Sequence, residues 1–232
     1  MTRIYLIRHG QASFAADNYD QLSDLGIKQA GILGAYLQQK NITPDVTIIG
    51  GMKRHRQTAE HSLETMRLPL NVIEDSRWNE YDHQNILAQY NSAFATPKGI
   101  RSFLASEKEP REAFQKHFVA AMEQWTNTCN SKQYNESWTQ FTTRLIAAFN
   151  NLIENHQGKT ILVYSSGGAI SIIASLLLGL PLEQFIRING TLVNAGITKA
   201  VARGKDKDIL LSTLNEHHMF EQLGDKKLIT YT

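Results

Sequence analysis

The chain has 232 residues, 42% of them hydrophobic and 20% charged, with 15 glycines and 5 prolines; this supports a sizeable core in one large domain, or in one domain plus a modest insertion, and argues against a disordered chain. Lys and Arg number 24 against 22 Asp and Glu, a net charge of +2, too slight to predict nucleic-acid or membrane binding through the field alone. The one cysteine, Cys129, excludes an internal disulfide framework and a cysteine-based zinc cluster.

In chain order, Ile4–Ile7 is a short apolar strand running into a charged, glycine-containing turn. It is far too short for a signal peptide, and with the lone thiol this gives the cytoplasm as the expected compartment. Ser23 is placed to cap a helix reaching about Lys40, closed by Asn41 and Pro44. Val46–Ile49 reads as a second strand, followed at once by Gly50-Gly51, and Arg54–Thr65 as a helix. Asn71–Ile73 is a third short strand. From Asp82 to about Asn155 no strand pattern appears, and helical pieces broken near Pro97 and Pro110 are expected. Thr160–Tyr164 is the next strand and Ala169–Leu178 the next helix, with Gly179 at its end. The apolar run from Ile161 to Leu182 approaches membrane-spanning length. The cluster Ser165-Ser166-Gly167-Gly168 inside it makes strand, tight turn and buried helix the better reading. Thr191–Asn194, Thr198–Val201 and Ile209–Leu214 are the last strand candidates, the final two joined by a polar turn over Arg203–Asp208.

Strands alternating with helices predict an α/β layer fold with a largely parallel sheet, whose ligands bind at the carboxyl ends of strands. Three such ends carry unusual residues: Arg8-His9-Gly10-Gln11, Gly50-Gly51-Met52-Lys53-Arg54 and Ser165-Ser166-Gly167-Gly168. Arginine forks and free backbone N–H groups at a helix start suit a dianionic phosphate, and His9 is then a candidate nucleophile toward phosphorus. Taken singly, His9 reads as a structural histidine, Arg54 as a surface charge and Gly167-Gly168 as a tight turn. Their joint position on one predicted sheet edge carries the argument.

With these residues in order, the sequence resembles the histidine phosphatase superfamily, also called phosphoglycerate mutase-like, over nearly the whole chain. The matching motifs are Arg8-His9-Gly10, the run from Leu22 to Ala30 (Leu-Ser-x-x-Gly-x-x-Gln-Ala), Arg54-x-x-Gln57-Thr58-Ala59 and Trp78-Asn79-Glu80. The resemblance implies a three-layer α/β/α fold with a mostly parallel sheet. It implies a single domain over residues 1–232, with a mostly helical insertion at about 83–135. It also implies a phosphoric monoester hydrolase acting through a phosphohistidine on His9, with Glu80 as general acid and then base. Arg8, Arg54, Ser166 and Gly167 would hold the phosphate, with no metal and no cofactor.

Ser166 stands where the family usually has a second histidine. A serine can donate a hydrogen bond but carries no charge, and one charged hydrogen bond is worth about 1.5–3 kcal/mol. Either another histidine substitutes, with His83 and His218 the leading candidates, or the chain is a weakened pseudophosphatase that binds a phosphate ligand or a protein. A mutase is disfavoured, because Gln11-Ala12-Ser13-Phe14-Ala15 lacks the Glu, Trp and Asn typical after Arg-His-Gly in mutases. Gln11, Asn18 and Tyr81 are candidate substrate contacts. The expected partner is a small phosphorylated substrate or a phosphoprotein, with no nucleic acid and no membrane. Arg56 is expected to point away from the site, Lys53 to be solvated, the three tryptophans to pack, and Asn194 to hold backbone.

Overall fold

The computed structural model describes residues 1–13, 20–105, 107–128, 131–203 and 208–231. Asn18, Cys129 and the centre of the expected polar turn, residues 204–207, lie outside them. Two compact units emerge, one built from residues 1–80 and 145–232, the other from Tyr81–Arg144.

The first unit contains a six-stranded mixed sheet of order β3-β2-β4-β1-β5-β6. Its strands are β1 (Thr2–Arg8), β2 (Val46–Ile49), β3 (Ile73–Glu74), β4 (Thr160–Ser165), β5 (Ile197–Arg203) and β6 (Asp208–Glu216). β1 is central. It runs parallel to β4 in the register Arg3↔Thr160 to Arg8↔Ser165, and antiparallel to β5. A strand covered on both faces should lack polar alternation, and Ile4, Leu6 and Ile7 are fully buried. Alternate side chains point to opposite faces. Tyr5, Ile7, Ile49, Leu162, Tyr164 and Ile197 share one core cluster with Leu33 and Leu37 of α1 (Asp24–Gln39) and Ala59 and Leu63 of α2 (Lys53–Thr65). Ile4, Leu6, Ile161 and Val163 form the opposite buried face, where α7 (Gly167–Leu178) packs on β1. Helices on both faces of the sheet give the three layers expected.

Local signals explain most boundaries. The Ser23 hydroxyl caps α1 by accepting from Gly26 N at 3.1 Å. α7 ends at Gly179, whose φ of 65° lies in the left-handed region that glycine enters without strain. The apolar run through this region therefore resolves into β4 and α7, and no described helix is long and apolar enough to cross a membrane. One expected strand is absent: Thr191–Asn194 is not extended ladder. Turn carbonyls and a side chain satisfy its backbone instead, with Thr191 N donating to Ile188 O at 2.9 Å, Val193 N to Asn215 Oδ1 at 2.8 Å and Asn215 Nδ2 to Thr191 O at 2.6 Å. The third strand is also shifted, from Asn71–Ile73 to Ile73–Glu74.

The second unit contains α3 (His83–Tyr90), α4 (Pro97–Leu104) and α5 (Pro110–Asn127), and the segment expected as an insertion, 83–135, falls within it. The helical pieces part just before Pro97 and Pro110, as expected, and each proline opens the next helix, where a missing N–H costs nothing. The rings of Tyr81, Trp125, Trp138 and Phe141 form its buried cluster. The unit boundary falls inside α6 (Trp138–Asn155).

Candidate active site

Arg8 ends β1 and His9 follows it, and Ser165 ends the neighbouring β4 with Ser166 next. His9 N donates to Ser165 O at 2.9 Å, while His9 O accepts from Asn194 Nδ2 at 3.1 Å and from Ala195 N at 3.2 Å. Asn194 thus holds backbone, as its position suggested. The histidine backbone is fixed from both sides, which leaves only the ring to orient. His9 Nδ1 lies 2.7 Å from Gly10 O. A carbonyl only accepts, so in the neutral ring Nδ1 carries the hydrogen and Nε2 is the basic nitrogen. Burial first, then the charges of Arg54 and Arg8 and the His55 ring, hold the His9 imidazole well below the usual histidine range. The ring is therefore neutral at pH 7.

Two buried guanidinium groups flank this position. Arg8 Nη1 donates to Leu192 O and Nη2 to Tyr231 O, the latter at 3.0 Å, which fixes the plane of the fork. Gly167 makes room for it: a Cβ there would come within 3.3 Å of Arg8 Nε and 2.2 Å of Asn189 Oδ1. Arg54, in the first turn of α2, donates from Nη1 to Asp20 Oδ1 at 2.8 Å. The other Asp20 oxygen accepts from Lys53 N at 2.9 Å, so a remote carboxylate caps α2, whose own N-cap residue Met52 provides no side-chain bond. Lys53 Nζ is engaged by Gln21 at 3.1 Å, and Arg56 turns away to pair with Glu74.

The remaining motif residues are joints. Gly10 N donates to Thr58 Oγ1 at 3.1 Å, and Thr58 in turn donates to Arg54 O at 2.7 Å. Gly10 and Gly26 allow close backbone approach, since a Cβ at Gly10 would lie 2.5 Å from Gly26 O. Gln29 accepts from Gln11 N and donates to Leu228 O. Gln57 accepts from Leu22 N.

Glu80 Oε2 accepts from Gly168 N at 3.0 Å, which brings this carboxylate to the first turn of α7. Ser166 is the N-cap residue of α7 but makes no side-chain cap bond. Its hydroxyl pairs instead with His55 Nε2 at 2.7 Å. His55 is fully buried, with its ring centroid 5.8 Å from that of His9. Gly50, at the end of β2, provides its seat, because a Cβ there would lie 2.3 Å from His55 Nδ1. Sequence reasoning passed over this residue. The available signal was a histidine next to Arg54 together with a glycine five residues before it.

Of the two histidines put forward as substitutes, His218 lies elsewhere in the first unit. His218 packs its ring edge-on against Tyr36, 5.0 Å away, and its Nδ1 is 3.7 Å from Glu216. Tyr36 is ten residues along α1 from the Gly26 that abuts Gly10, roughly 15 Å at 1.5 Å per residue. His83 opens α3 in the second unit. Of the substrate-contact candidates, the Gln11 side chain accepts from Ser23 Oγ at 2.9 Å, Tyr81 is buried against Trp125 and Phe141 within the second unit, and Asn18 is outside the described residues.

A protein-family model described as the histidine phosphatase superfamily (branch 1) matches residues 4–97 and 100–215. A 2,3-bisphosphoglycerate-dependent phosphoglycerate mutase of a Chelativorans strain is 31% identical over 90 residues, 36% of this chain and 44% of that protein. A Yersinia pestis protein named "probable phosphoglycerate mutase" is 26% identical over 78% of this chain and 77% of its own length. Among solved structures, a mycobacterial glucosyl-3-phosphoglycerate phosphatase in complex with inorganic phosphate superposes with a TM-score of 0.64. The two share 21% identity, with 94% of this chain and 98% of that one covered.

Proposed function

The chain belongs to the histidine phosphatase superfamily, and from that membership we propose that it is a phosphomonoesterase whose nucleophile is His9. The observation that carries this reading is a neutral His9 ring anchored through Nδ1 on Gly10 O, at a strand end shared with the buried guanidinium of Arg8. In this reading the lone pair on Nε2 attacks phosphorus while Arg8 and Arg54 hold the equatorial oxygens, where transition-state charge gathers. The P–O ester bond breaks with its electron pair on the leaving oxygen, which takes a proton from Glu80. The Glu80 carboxylate then takes a proton from water, whose oxygen attacks phosphorus, and the P–N bond breaks to restore His9. Substrates are phosphomonoesters of small molecules or of proteins.

Hydrolysis of p-nitrophenyl phosphate across pH 5–8 tests it. His9→Ala should lose at least about a thousandfold in kcat, since the nucleophile is gone. Unchanged turnover in His9→Ala would remove the assignment. The mutase names of two relatives favour a second reading, under which isomerisation of 3-phosphoglycerate exceeds release of phosphate. Binding of phosphate without either reaction is the outcome expected of a pseudophosphatase.

A further inference from the structure

Resting on the phosphate-site reading above, we propose that His55 and Ser166 together act as the second imidazole of the site. Ser166 Oγ is the group that touches a phosphoryl oxygen, and His55 is the positioning residue that charges it from behind. The geometry is specific. Ser166 follows Ser165, whose carbonyl holds His9 N, so the Ser166 hydroxyl and the His9 ring sit on adjacent strand ends. An N-cap serine ordinarily turns its hydroxyl onto the first turn of its own helix. Here it turns to His55 Nε2 at 2.7 Å.

With no anion present, His55 is neutral. Burial first, then Arg54, hold its imidazole well below the usual range. The Gly50 backbone acts the other way, and the His9 ring, itself beside Arg8 and Arg54, lies 5.8 Å from that of His55 between centroids. When a tetrahedral dianion enters, its charge opposes that of the arginines and the His55 pKa rises. His55 takes up one proton from solvent, Nε2–H donates to Ser166 Oγ, and the Ser166 hydroxyl hydrogen is released to point at the anion. The imidazolium charge is thus delivered through one hydroxyl.

Sulfate is the probe, because it stays a dianion from pH 5 to 9 and needs no turnover. In wild type its affinity should strengthen as pH falls from 8 to 6. His55→Gln keeps a donor for Ser166 but cannot be protonated, so it should lose the share of that slope that His55 carries, whereas His9→Asn should lose only the share of His9. His55→Ala should weaken sulfate binding and lower kcat/KM about tenfold to a hundredfold. His55→Ala/Ser166→His should recover most of both. Ser166→His alone should gain nothing, because the new ring meets His55. Thermal melts identify any variant that fails to fold, and Ser166→Ala then cuts the pair from its other end with a small change in volume. A full pH slope in His55→Gln, or no recovery in a folded double variant, overturns the proposal while leaving the His9 assignment intact. His55-dependent sulfate binding in a protein that hydrolyses no phosphomonoester upholds the proposal and removes the phosphatase reading. A wild type that binds no sulfate removes both.

Discussion

Thr58 links the two arms of the site with one hydroxyl. It accepts from Gly10 N, beside the His9 ring, and donates to Arg54 O. Thr58→Val keeps the shape and deletes both bonds, stranding a buried N–H. Stability to urea should fall by about 1–3 kcal/mol, and a drop below about 0.5 kcal/mol would show that the Gly10 amide finds another acceptor. Thr58, Gln57, Gln29 and Gly26 were legible as a motif in the sequence, yet their work is to join backbones rather than to meet substrate. His55 was not legible. Its partner lies 111 positions away, and neither composition nor periodicity reports a contact made by the fold. The Ser166 position drew attention to a missing charge, but only the packing of α2 against the end of β4 shows which imidazole is near enough to supply it.

Among the elements, α7 is set by its two ends. Its start faces the site, and its finish depends on Gly179, where φ is 65° and a Cβ would meet nothing within 4 Å. Gly179→Ala therefore isolates backbone strain from packing and should cost about 1 kcal/mol, read as a shift in the denaturation midpoint with activity per folded molecule unchanged. Such ends are readable in sequence because the cause is local, as it is for Ser23 on α1 and for Pro97 and Pro110 at the starts of their helices. Thr191–Asn194 misled for the converse reason. Its β-branched and apolar residues match a strand, but Asn215, from β6, and the carbonyls of Ile188, Asn189 and Thr230 take up backbone groups a ladder would need.

For the whole molecule, burying two histidines as neutral rings ties stability to pH. Both His9 and His55 are held below the unfolded value near 6.5, chiefly by burial. Between the folded and unfolded values the unfolded chain binds more protons, so stability rises with pH there. The contribution is complete above about pH 6.5 and is lost as pH falls, at up to about 1.4 kcal/mol per pH unit for each ring. Urea midpoints from pH 7.5 to 5 should trace this decline, and His55→Gln should show a shallower one. An equal slope in that variant would mean that His55 is already charged in the free protein.

The central place of β1 also sets a schedule for synthesis. The strand that carries Arg8 and leads into His9 is made long before its parallel neighbour, and Arg3 must wait for Thr160, 157 positions later. At roughly 5–20 residues per second, translation leaves that interval at about 8–30 s. Throughout it Ile4, Leu6 and Ile7 have no sheet to enter, so their apolar side chains stay without the core that later buries them. Only once β4 has been made does His9 N find its acceptor in Ser165 O.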